Sequence, residues 1–283
     1  MQIRLMCDSD LDFAVECARN EGWVSETREV FEGFFLYDPK GCFIAESEGR
    51  RLGICVSVCY KTYGFFGELI VLPEFRSRGA GRILLDHAVR YQKQRGIRNV
   101  LLDGVVKAVP LYERAGFKKV CRSLRFTGKI NPCQPHKSVR QMLRTDLPDV
   151  FTLDLEVFGE DRRFFLNRLF TLCPGFCKVM EEEGQLTGYV MGRCKQTLIA
   201  TGPWVVRRIC KHPEKLIESL AMGAPEKPVR LGILESNRRA VQIAEQLGLQ
   251  EENDKPPWRM VLGETSDLGM SDASMAIGSP AKG

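Results

Sequence analysis

The sequence lacks any apolar run close to the roughly 18 residues that a helix needs to cross a bilayer. Its first ten residues turn acidic where a secretory signal would carry an apolar core. The eleven cysteines and 3 histidines do not form the closely spaced pairs of a zinc site. We therefore expect a cytoplasmic protein with no metal ion and no membrane partner, whose cysteines stay as free thiols.

The chain also has only a small net charge. Lys and Arg together number 41 and Asp and Glu 36, so the net charge over the chain is +5. This is far from the basic stripe of a nucleic-acid-binding protein, and we expect no nucleic-acid partner. A hydrophobic fraction of 44% excludes a wholly disordered chain. The length of 283 residues predicts about two domains.

An internal repeat supports that count of domains. A shift of 135 positions places Gly41–Lys61 on Phe176–Gln196, with matching turn glycines and strand starts. A second shift, of 132 positions, places Ala108–Gly116 on Ala240–Gly248. Two such blocks in the same order indicate two copies of one fold. The expected divisions are a first domain over 1–130, a linker over 131–141, a second domain over 142–263 and a disordered tail over 264–283.

The first copy reads as helices, then an antiparallel meander, then a β-α-β unit, which is a mixed α/β arrangement. Apolar periodicity and turn residues predict each element. The expected helices cover about Asp10–Asn20, Ser25–Phe35 and Gly79–Arg95, with a short one opened by Pro110, and the expected strands are Cys42–Ser47, Leu52–Tyr60, Gly67–Leu72, Asn99–Asp103 and Lys118–Phe126.

A segment rich in glycine and arginine, Arg76–Arg82, opens the long helix. Glycine lets a ligand approach the backbone, and the free N–H groups at a helix start attract anions. Three arginines in seven residues suit a pyrophosphate. The segment lacks the ending of a Walker loop and the third glycine of a dinucleotide fingerprint. It predicts a phosphate cradle of another kind, although a glycine-capped arginine turn would leave the same pattern.

A second motif, Leu111–Phe117, is a short helix that ends at a glycine one strand after the cradle helix. Its L-Y-x-x-x-G-F pattern and the V-x-P-x-x-R-x-x-G-x-G pattern of Val71–Gly81 together resemble the GNAT superfamily of acyl-CoA N-acyltransferases. Weaker similarities to the YitH-type tandem members of that superfamily extend over about Met1 to Gly263. These are Asn20–Trp23, Leu102–Val105, Phe158–Arg162 and Gly202–Trp204.

The resemblance implies a fold, a donor and a set of site residues. The fold is two tandem GNAT folds, each a mostly antiparallel twisted sheet flanked by helices, and the donor is acetyl-CoA. Tyr112 would lie beside the thioester sulfur, while Val105 stands where the family usually has an asparagine that contacts the pantetheine arm. The residues implied in coenzyme binding are Leu69, Ile70, Val71, Arg76, Ser77, Arg78, Gly79, Ala80, Gly81, Arg82 and Ala108.

Acyl transfer to an amine also needs a polarised carbonyl, a neutral amine and a stabilised thiolate. Backbone N–H groups at Val71 and Leu72 could polarise the carbonyl if the strand edge is open. Glu68 is the nearest acid on that strand and by alternation shares the face of Ile70 and Leu72, so it is a candidate base. It could instead pair with a basic neighbour, with a water path serving the amine. Tyr112 could assist the thiolate or be a half-buried aromatic residue.

Two further residues are candidates for the acceptor site. Trp23 follows a glycine and could wall an acceptor pocket or belong to the core. Asp103 stands at a strand end and could reach the substrate, although a turn acid is the simpler interpretation.

The second copy lacks the residues of the cradle. Lys211–Leu216 aligns with Arg76–Gly81 and contains no glycine. Ala244 stands in place of the tyrosine and Pro203 in place of Glu68, while Asn237 occupies the family's asparagine position. We expect no coenzyme there, because a helix start without glycines keeps a pyrophosphate away from the backbone.

The predicted function is transfer of an acyl group, expected to be acetyl, from coenzyme A to a primary amine. A small molecule or an amino acid is the first choice of acceptor, and a protein lysine or N-terminus the second. The alternative is a non-catalytic acyl-CoA sensor or partner-docking module. Tyr112 favours the enzyme, since binding the coenzyme alone does not need its hydroxyl.

Overall fold

The computed structural model describes residues 1–23, 25–131, 134–252, 255–264 and 270–283. The chain folds into two compact units. Unit 1 comprises Met1–Val120 and a later segment that begins at Met260, and unit 2 comprises Cys121–Arg259 and most of the last residues. The expected boundaries at residues 130 and 142 differ from these. They were taken from a Pro- and Asn-rich composition, which carries no information on which strands pair.

The C-terminal residues differ from their expectation most. A short strand covers Ser274–Ala276, and the side chain of Met275 is fully buried. A disordered tail is therefore wrong for residues 270–283, while residues 265–269 lie outside the described part of the chain. Small residues gave this stretch the composition of a disordered segment, but Met275 and Ile277 still supply apolar side chains that the fold buries. The expected linker likewise ends in a strand, Val139–Gln141, and its residues 132–133 are outside the described part.

Unit 1 contains the first-copy elements in the expected order. They are β1 (Gln2–Leu5), α1 (Leu11–Asn20), α2 (Arg28–Tyr37), β2 (Cys42–Ser47), β3 (Arg50–Cys59), β4 (Tyr63–Val71), α3 (Ala80–Gln94), β5 (Asn99–Gly104), α4 (Val109–Arg114) and the beginning of β6 (Lys118–Gly128).

The sheet of unit 1 has the order β1-β2-β3-β4-β5. Its pairings are antiparallel except for β4 with β5, which run parallel. The predicted helices and strands are confirmed to within a few residues, but β1 was missed and β4 begins four residues earlier than Gly67. Gly64 resembled a turn residue in the sequence. In the structure it lies inside β4, where a Cβ atom would come 2.4 Å from the Gln92 Oε1 atom.

Helix α3 is held on this sheet by one apolar face. Leu84, Leu85 and Ala88 are fully buried, while Ile83 on the opposite side is exposed. This burial of side chains three and four residues apart fixes the helix, and so it also fixes where the first turn of α3 begins.

Unit 2 repeats the architecture. It contains the rest of β6, β7 (Val139–Gln141), α5 (Leu147–Phe158), α6 (Arg163–Leu172), β8 (Cys177–Glu182), β9 (Gln185–Cys194), β10 (Ile199–Val206), α7 (Glu214–Ala221), β11 (Val229–Leu234), α8 (Arg238–Gln246), β12 (Gln250–Glu251), the beginning of β13 (Trp258–Leu262) and β14 (Ser274–Ala276).

The strand order in unit 2 is β7-β8-β9-β10-β11-β6, with β14 paired to β10. Strands β8 and β9 begin 135 positions after β2 and β3, as the repeat predicts. Here too a single parallel pair, β10 with β11, lies in an otherwise antiparallel arrangement. The mixed α/β fold class and the two copies are confirmed. Among the described residues no helix is both long and apolar enough to span a membrane.

Candidate active site

The central feature of unit 1 is a gap between its two parallel strands. Strands β4 and β5 pair only over Tyr63–Phe65 and Asn99–Leu101. Beyond these residues β4 continues to Val71 and β5 to Gly104 without pairing to each other. We call this gap the cleft of unit 1. The facing edges of the two strands therefore do not satisfy each other's backbone groups along this gap.

Glu68 lies on an irregularity in β4. The pairing of β4 with β3 shifts between Ile54 and Val56, so that two residues of β4 stand opposite Cys55. Glu68 is one of them and has a φ of 52°, in the left-handed region. This is the geometry of a β-bulge, which turns side chains away from the regular alternation. The expectation that Glu68 shares the face of Ile70 relied on regular alternation along the strand, and the bulge interrupts that alternation. Its side chain is nonetheless buried.

The strand edge provides one of the two backbone donors that were expected. The Leu72 N–H donates to the Leu52 carbonyl oxygen at 2.9 Å, so Leu72 does not serve the cleft. Alternate residues of an antiparallel strand direct their N–H groups to opposite edges. The N–H of Val71 therefore faces the edge on which β5 diverges, where it is positioned to meet a carbonyl oxygen.

The loop after β4 forms the start of α3. Ser77 and Gly79 both have positive φ, 61° and 87°, and Ala80 begins the helix. A left-handed residue followed by a right-handed one turns successive N–H groups into a concavity that binds anions. No side chain in the described part of the chain caps α3. The first N–H groups of α3 therefore remain for a ligand, and the positive end of the helix dipole adds to them.

Gly81 gives the clearest indication that a ligand belongs here. A Cβ atom at this position would lie 3.6 Å from Leu111 and 3.7 Å from Val71, which are ordinary van der Waals distances. Protein packing therefore does not require glycine at position 81, unlike Gly79, whose φ does. A group that approaches the backbone closely, such as a phosphate, does require it. The residues present fit the pyrophosphate of a coenzyme.

The three arginines of the cradle differ in their partners. Arg76 donates through Nε to the Val71 carbonyl at 2.8 Å and pairs with the carboxylate of Glu21. Arg82 pairs with Asp86 at 2.7 Å and reaches the carbonyl of Arg114. Arg78 is exposed and has no ion pair within the described residues. Arg78 is thus the cradle arginine whose charge is not offset by a carboxylate in the described residues, while Arg76 is held beside the end of β4.

Glu21 is a site residue that the sequence analysis missed. It lies just beyond α1 and pairs with Arg76 and, at 2.8 Å, with Lys107 before α4. Partial burial raises the pKa of its carboxyl, but the hydrogen bonds from Lys107 and Arg76 outweigh burial and bring the pKa below its ordinary 4.5. In the sequence, Glu21 was marked only by lying in the Asn20–Trp23 segment. Its pairing could not be predicted, because its partners lie 55 and 86 positions away in the chain.

We expect Glu21→Gln to lower the melting temperature by about 3 °C near neutral pH, the effect of losing a half-buried ion pair. Because the folded pKa is lowered, the stabilisation is complete above pH 4.5 and is lost as the pH falls through the folded pKa. Melting curves of the variant and the parent chain should therefore converge in acid. Glu74→Gln, at an exposed glutamate of the same unit, is the control. A difference that persists in acid would contradict this account.

Tyr112 spans the cleft. Its ring lies edge-on to Phe66 of β4, with centroids 6.3 Å apart. On the other side, a Cβ atom at Gly104 of β5 would come within 2.9 Å of the ring. Glycine at position 104 is thus what admits the tyrosine. Its hydroxyl makes no hydrogen bond within the part of the chain that the structure describes, so the group is available to a ligand in the cleft.

The protonation of Tyr112 follows from its surroundings. Burial, together with the buried thiol of Cys55, raises the pKa of the tyrosine hydroxyl above its ordinary 10. The hydroxyl therefore stays protonated at neutral and mildly alkaline pH, which is the form that can donate a proton or a hydrogen bond. Cys55 itself lies opposite the bulge at Glu68.

The other predicted site residues lie on β5, beside α4 and in the loop after α1. Asp103 is half-buried on the part of β5 that diverges from β4, and Val105 follows β5. Ala108 directly precedes α4, with its N–H bonded to the Val105 carbonyl at 2.8 Å. Trp23 is half-buried two residues beyond Glu21, on the loop that Glu21 ties to Arg76. In the described residues no group of His, Cys, Asp and Glu could hold a metal ion.

Comparison with known proteins decides the family. The model of the acetyltransferase (GNAT) family matches residues 9–117, and that of an acetyltransferase (GNAT) domain matches residues 150–272. The chain belongs to the GNAT acetyltransferase family. The two matches fall on units 1 and 2, so this chain is a tandem GNAT protein.

Individual relatives are distant. The chain is 24% identical to the uncharacterized N-acetyltransferase YitH of Bacillus subtilis, over 68% of this chain and 67% of YitH. It is 32% identical to an uncharacterized N-acetyltransferase of Methanocaldococcus jannaschii, over 32% of this chain and 45% of that protein. A crystal structure from Pyrococcus horikoshii, itself only a candidate acetyltransferase, superposes with a TM-score of 0.81 at 20% identity, covering 100% and 95% of the two chains. This last likeness shows the fold.

The second GNAT unit lacks the features of the cradle. Its helix α7 follows Pro213 and begins at Glu214, with no left-handed glycine at its start. Ala244, in place of the tyrosine, is fully buried in α8. Strand β10 keeps an irregularity between Thr201 and Trp204, like that of β4. The scaffold of a GNAT fold is therefore present in unit 2 without the phosphate cradle and the tyrosine.

Proposed function

We propose that this GNAT protein transfers an acetyl group from acetyl-CoA to a primary amine, and that unit 1 carries the reaction. The observation that carries the proposal is a juxtaposition in unit 1. An open strand edge at Val71, an uncapped helix start at Gly79–Gly81 and the free hydroxyl of Tyr112 surround one cleft. These are the groups needed to hold a pyrophosphate, polarise a carbonyl and assist a leaving thiolate.

The cradle would hold the coenzyme at its phosphates. The N–H groups of Gly79, Ala80 and Gly81 lie at the start of α3, and Arg78 and Arg82 add positive charge. The backbone of Leu69–Val71 would pair with the coenzyme along the cleft, and Ser77 before α3 and Ala108 before α4 would contact it from the two loops. Arg76 would bind a phosphate oxygen or, through its bond to the Val71 carbonyl, hold the end of β4 in place.

When bound, the coenzyme supplies an acyl group activated as a thioester. The Val71 N–H would donate to the carbonyl oxygen as negative charge develops there. The amine nitrogen bonds to the carbonyl carbon as the carbon–sulfur bond breaks. Glu68, directly or through water, would take the proton that the amine loses, and Tyr112 would give its proton to the departing thiolate. The products are an amide and free coenzyme A, and the proton on Glu68 would return through water to the Tyr112 phenolate, so protons and electrons balance.

The acceptor would approach the cleft near Trp23 and Asp103. An aromatic ring and a carboxylate are suited to an amine that carries an apolar group, such as an amino acid or another small molecule. A protein lysine or N-terminus is the second choice. An acyl-CoA sensor without catalysis is the competing function, and the free hydroxyl of Tyr112 argues against it.

A panel of amines would test the proposal directly. The chain is incubated with acetyl-CoA and one amine at a time, and release of free thiol is followed with a thiol reagent. Thiol release and the matching acetylated amine, seen by mass spectrometry, are the expected result. A reaction without the protein, and one without the amine, correct for hydrolysis of acetyl-CoA. Coenzyme binding without turnover on small amines, amino acids and lysine peptides would favour the sensor.

We expect the intact chain to bind one molecule of acetyl-CoA, because in the described part of the chain unit 1 has a glycine-containing start of its long helix and unit 2 does not. Isothermal titration should give a stoichiometry near one, and Gly81→Leu in the full chain should remove that binding. The intact chain is used because each unit is built from segments that are not contiguous in the sequence. Two equivalents, or one that survives Gly81→Leu, would place a coenzyme site in unit 2 and contradict the assignment.

A further inference from the structure

Unit 2 has the same gap between its parallel strands as unit 1, but its own chain fills it. Strands β10 and β11 pair only over Ile199–Thr201 and Val229–Leu231 and then diverge. We call the gap beyond these residues the cleft of unit 2. Strand β14 lies in it and pairs antiparallel to β10, with Ala276 opposite Trp204 and Ser274 opposite Val205.

Backbone hydrogen bonds join this segment to both walls of the cleft. The Val206 N–H donates to the Ala273 carbonyl at 3.0 Å, and the Ile277 N–H donates to the Gly232 carbonyl at 2.9 Å. A strand bonded on both edges satisfies the groups that divergence would leave unpaired. Gly232 fits this arrangement, because a Cβ atom there would lie 2.8 Å from the Ile277 side chain.

Asn237 recognises the same segment from the start of α8. Its Nδ2 group donates to the carbonyl oxygens of Asp272, at 3.0 Å, and Ser274, at 2.9 Å. Its Oδ1 atom meanwhile accepts from the Ala240 N–H at 3.0 Å and caps the helix. The side chain is buried. The Nδ2 group thus donates both of its hydrogen bonds to backbone carbonyls of the segment. Any extended chain with carbonyl oxygens two residues apart could accept them.

Side chains of the segment are buried as well. Met275 is fully buried in the apolar core of unit 2, and Ala276 is about 1% exposed. Further on, Ser279 and Ala281 are buried too, and a Cβ atom at Gly278 would lie 3.6 Å from an Nη1 atom of Arg162. Arg162 is itself fixed by two 2.8 Å bonds to Asp154.

We propose that the cleft of unit 2 is a binding groove for an extended peptide and that Asp272–Ile277 is the peptide that occupies it in cis. The cleft binds the peptide backbone through hydrogen bonds with β10, β11 and Asn237. It binds one large apolar side chain in the core position that Met275 occupies. This assignment does not depend on catalysis in unit 1. It gives unit 2 a ligand class, a peptide strand, in the place where unit 1 is proposed to take a coenzyme.

The test severs the segment from the folded full chain. A protease recognition sequence is introduced between Glu264 and Met270, and the purified protein is cleaved. We expect the released peptide, residues 270–283, to stay with the protein through gel filtration or, if it leaves, to rebind when added as a labelled synthetic peptide. Binding is followed by fluorescence anisotropy. A peptide carrying Met275→Asp should bind at least tenfold more weakly, since a charge would replace the buried side chain.

Two full-chain variants test the role of Asn237 without cleavage. Asn237→Asp keeps an oxygen for the cap on Ala240 but loses the donor to the segment. Asn167→Asp makes the same change at an exposed position of α6. We expect amide hydrogen exchange over Asp272–Ile277 to become about tenfold faster in the first variant alone, as expected for two lost hydrogen bonds.

The outcomes separate the alternatives. Retention or rebinding of the peptide, lost with Met275→Asp, supports the groove. A cleaved peptide that neither stays nor rebinds, or that binds equally well with Met275→Asp, would overturn it. So would binding of acetyl-CoA in the vacated cleft in place of the peptide. Unchanged exchange in Asn237→Asp would remove the recognition role of Asn237. None of these results depends on turnover at unit 1.

Discussion

Gly81→Ala is expected to weaken the binding of acetyl-CoA at least tenfold while raising the melting temperature of the chain by about 2 °C. The two effects have opposite signs because they arise from different contacts. A Cβ atom at position 81 meets Leu111 and Val71 at ordinary distances, and alanine stabilises a helix by restricting the unfolded chain. The same Cβ atom would hold a pyrophosphate away from the first N–H groups of α3, weakening charge-assisted hydrogen bonds.

Gly79→Ala provides the matched control. It adds the same methyl group two residues earlier, where φ is 87°, so the backbone itself is strained and the melting temperature should fall. Titration calorimetry and thermal melts of both variants separate loss of affinity from loss of fold. An unchanged affinity in Gly81→Ala would mean that no phosphate approaches this helix start, and the cradle would lose its support.

Tyr112→Phe is expected to lower kcat and kcat/KM together by about 100-fold, near the lower end of the range for general acid assistance. A thiolate is already a fair leaving group, which limits the gain. The dissociation constant for acetyl-CoA should barely change, because the lost interaction forms mainly in the transition state. The melting temperature should also stay nearly constant, since the ring contacts with Phe66 and Phe117 remain.

Two comparisons make the result specific to the hydroxyl. Burial keeps the pKa of Tyr112 above 10. Below pH 10 the tyrosine therefore stays protonated, and the ratio of the parent rate to the variant rate should not fall as the pH rises. Glu68→Gln should behave differently. Its activity should be lowest near neutral pH and recover partly in alkali, where the amine is neutral without a base. A Tyr112→Phe chain with full kcat on an identified amine would show that the tyrosine only packs.

Local patterns were enough to place most elements of unit 1 and both copies of the fold. Helix α3 and strands β2 and β3 follow from apolar periodicity, tight turns and glycine stops, which act within a few residues. The early start of β4 could not be predicted, because Gly64 looked like a turn residue. Glycine is needed there because a Cβ atom would collide with the side chain of Gln92, 28 positions away. The bulge at Glu68 did not follow either, because it is a property of the pairing between β3 and β4.

The site divides in the same way. Glycines and arginines at a helix start are typical of an anion site, so Arg76–Arg82 alone was enough to predict the cradle. Glu21 could not, since its role depends on Arg76 and Lys107 lying beside it in the fold. Leu72 could not be separated from Val71 until the hydrogen bond to Leu52 showed which strand edge each N–H faces.

The sequence by itself determined the number of copies, and it predicted a phosphate cradle in the first copy that the second copy lacks, because those depend on residue types at short spacings. Only the tertiary structure decided what fills the second cleft. A stretch of Ser, Ala, Gly and Met has no periodicity from which to predict a strand, and its order comes from two walls and Asn237 that lie 35 or more positions away. Backbone pairing over such distances is indifferent to side-chain type, so composition could not reveal it.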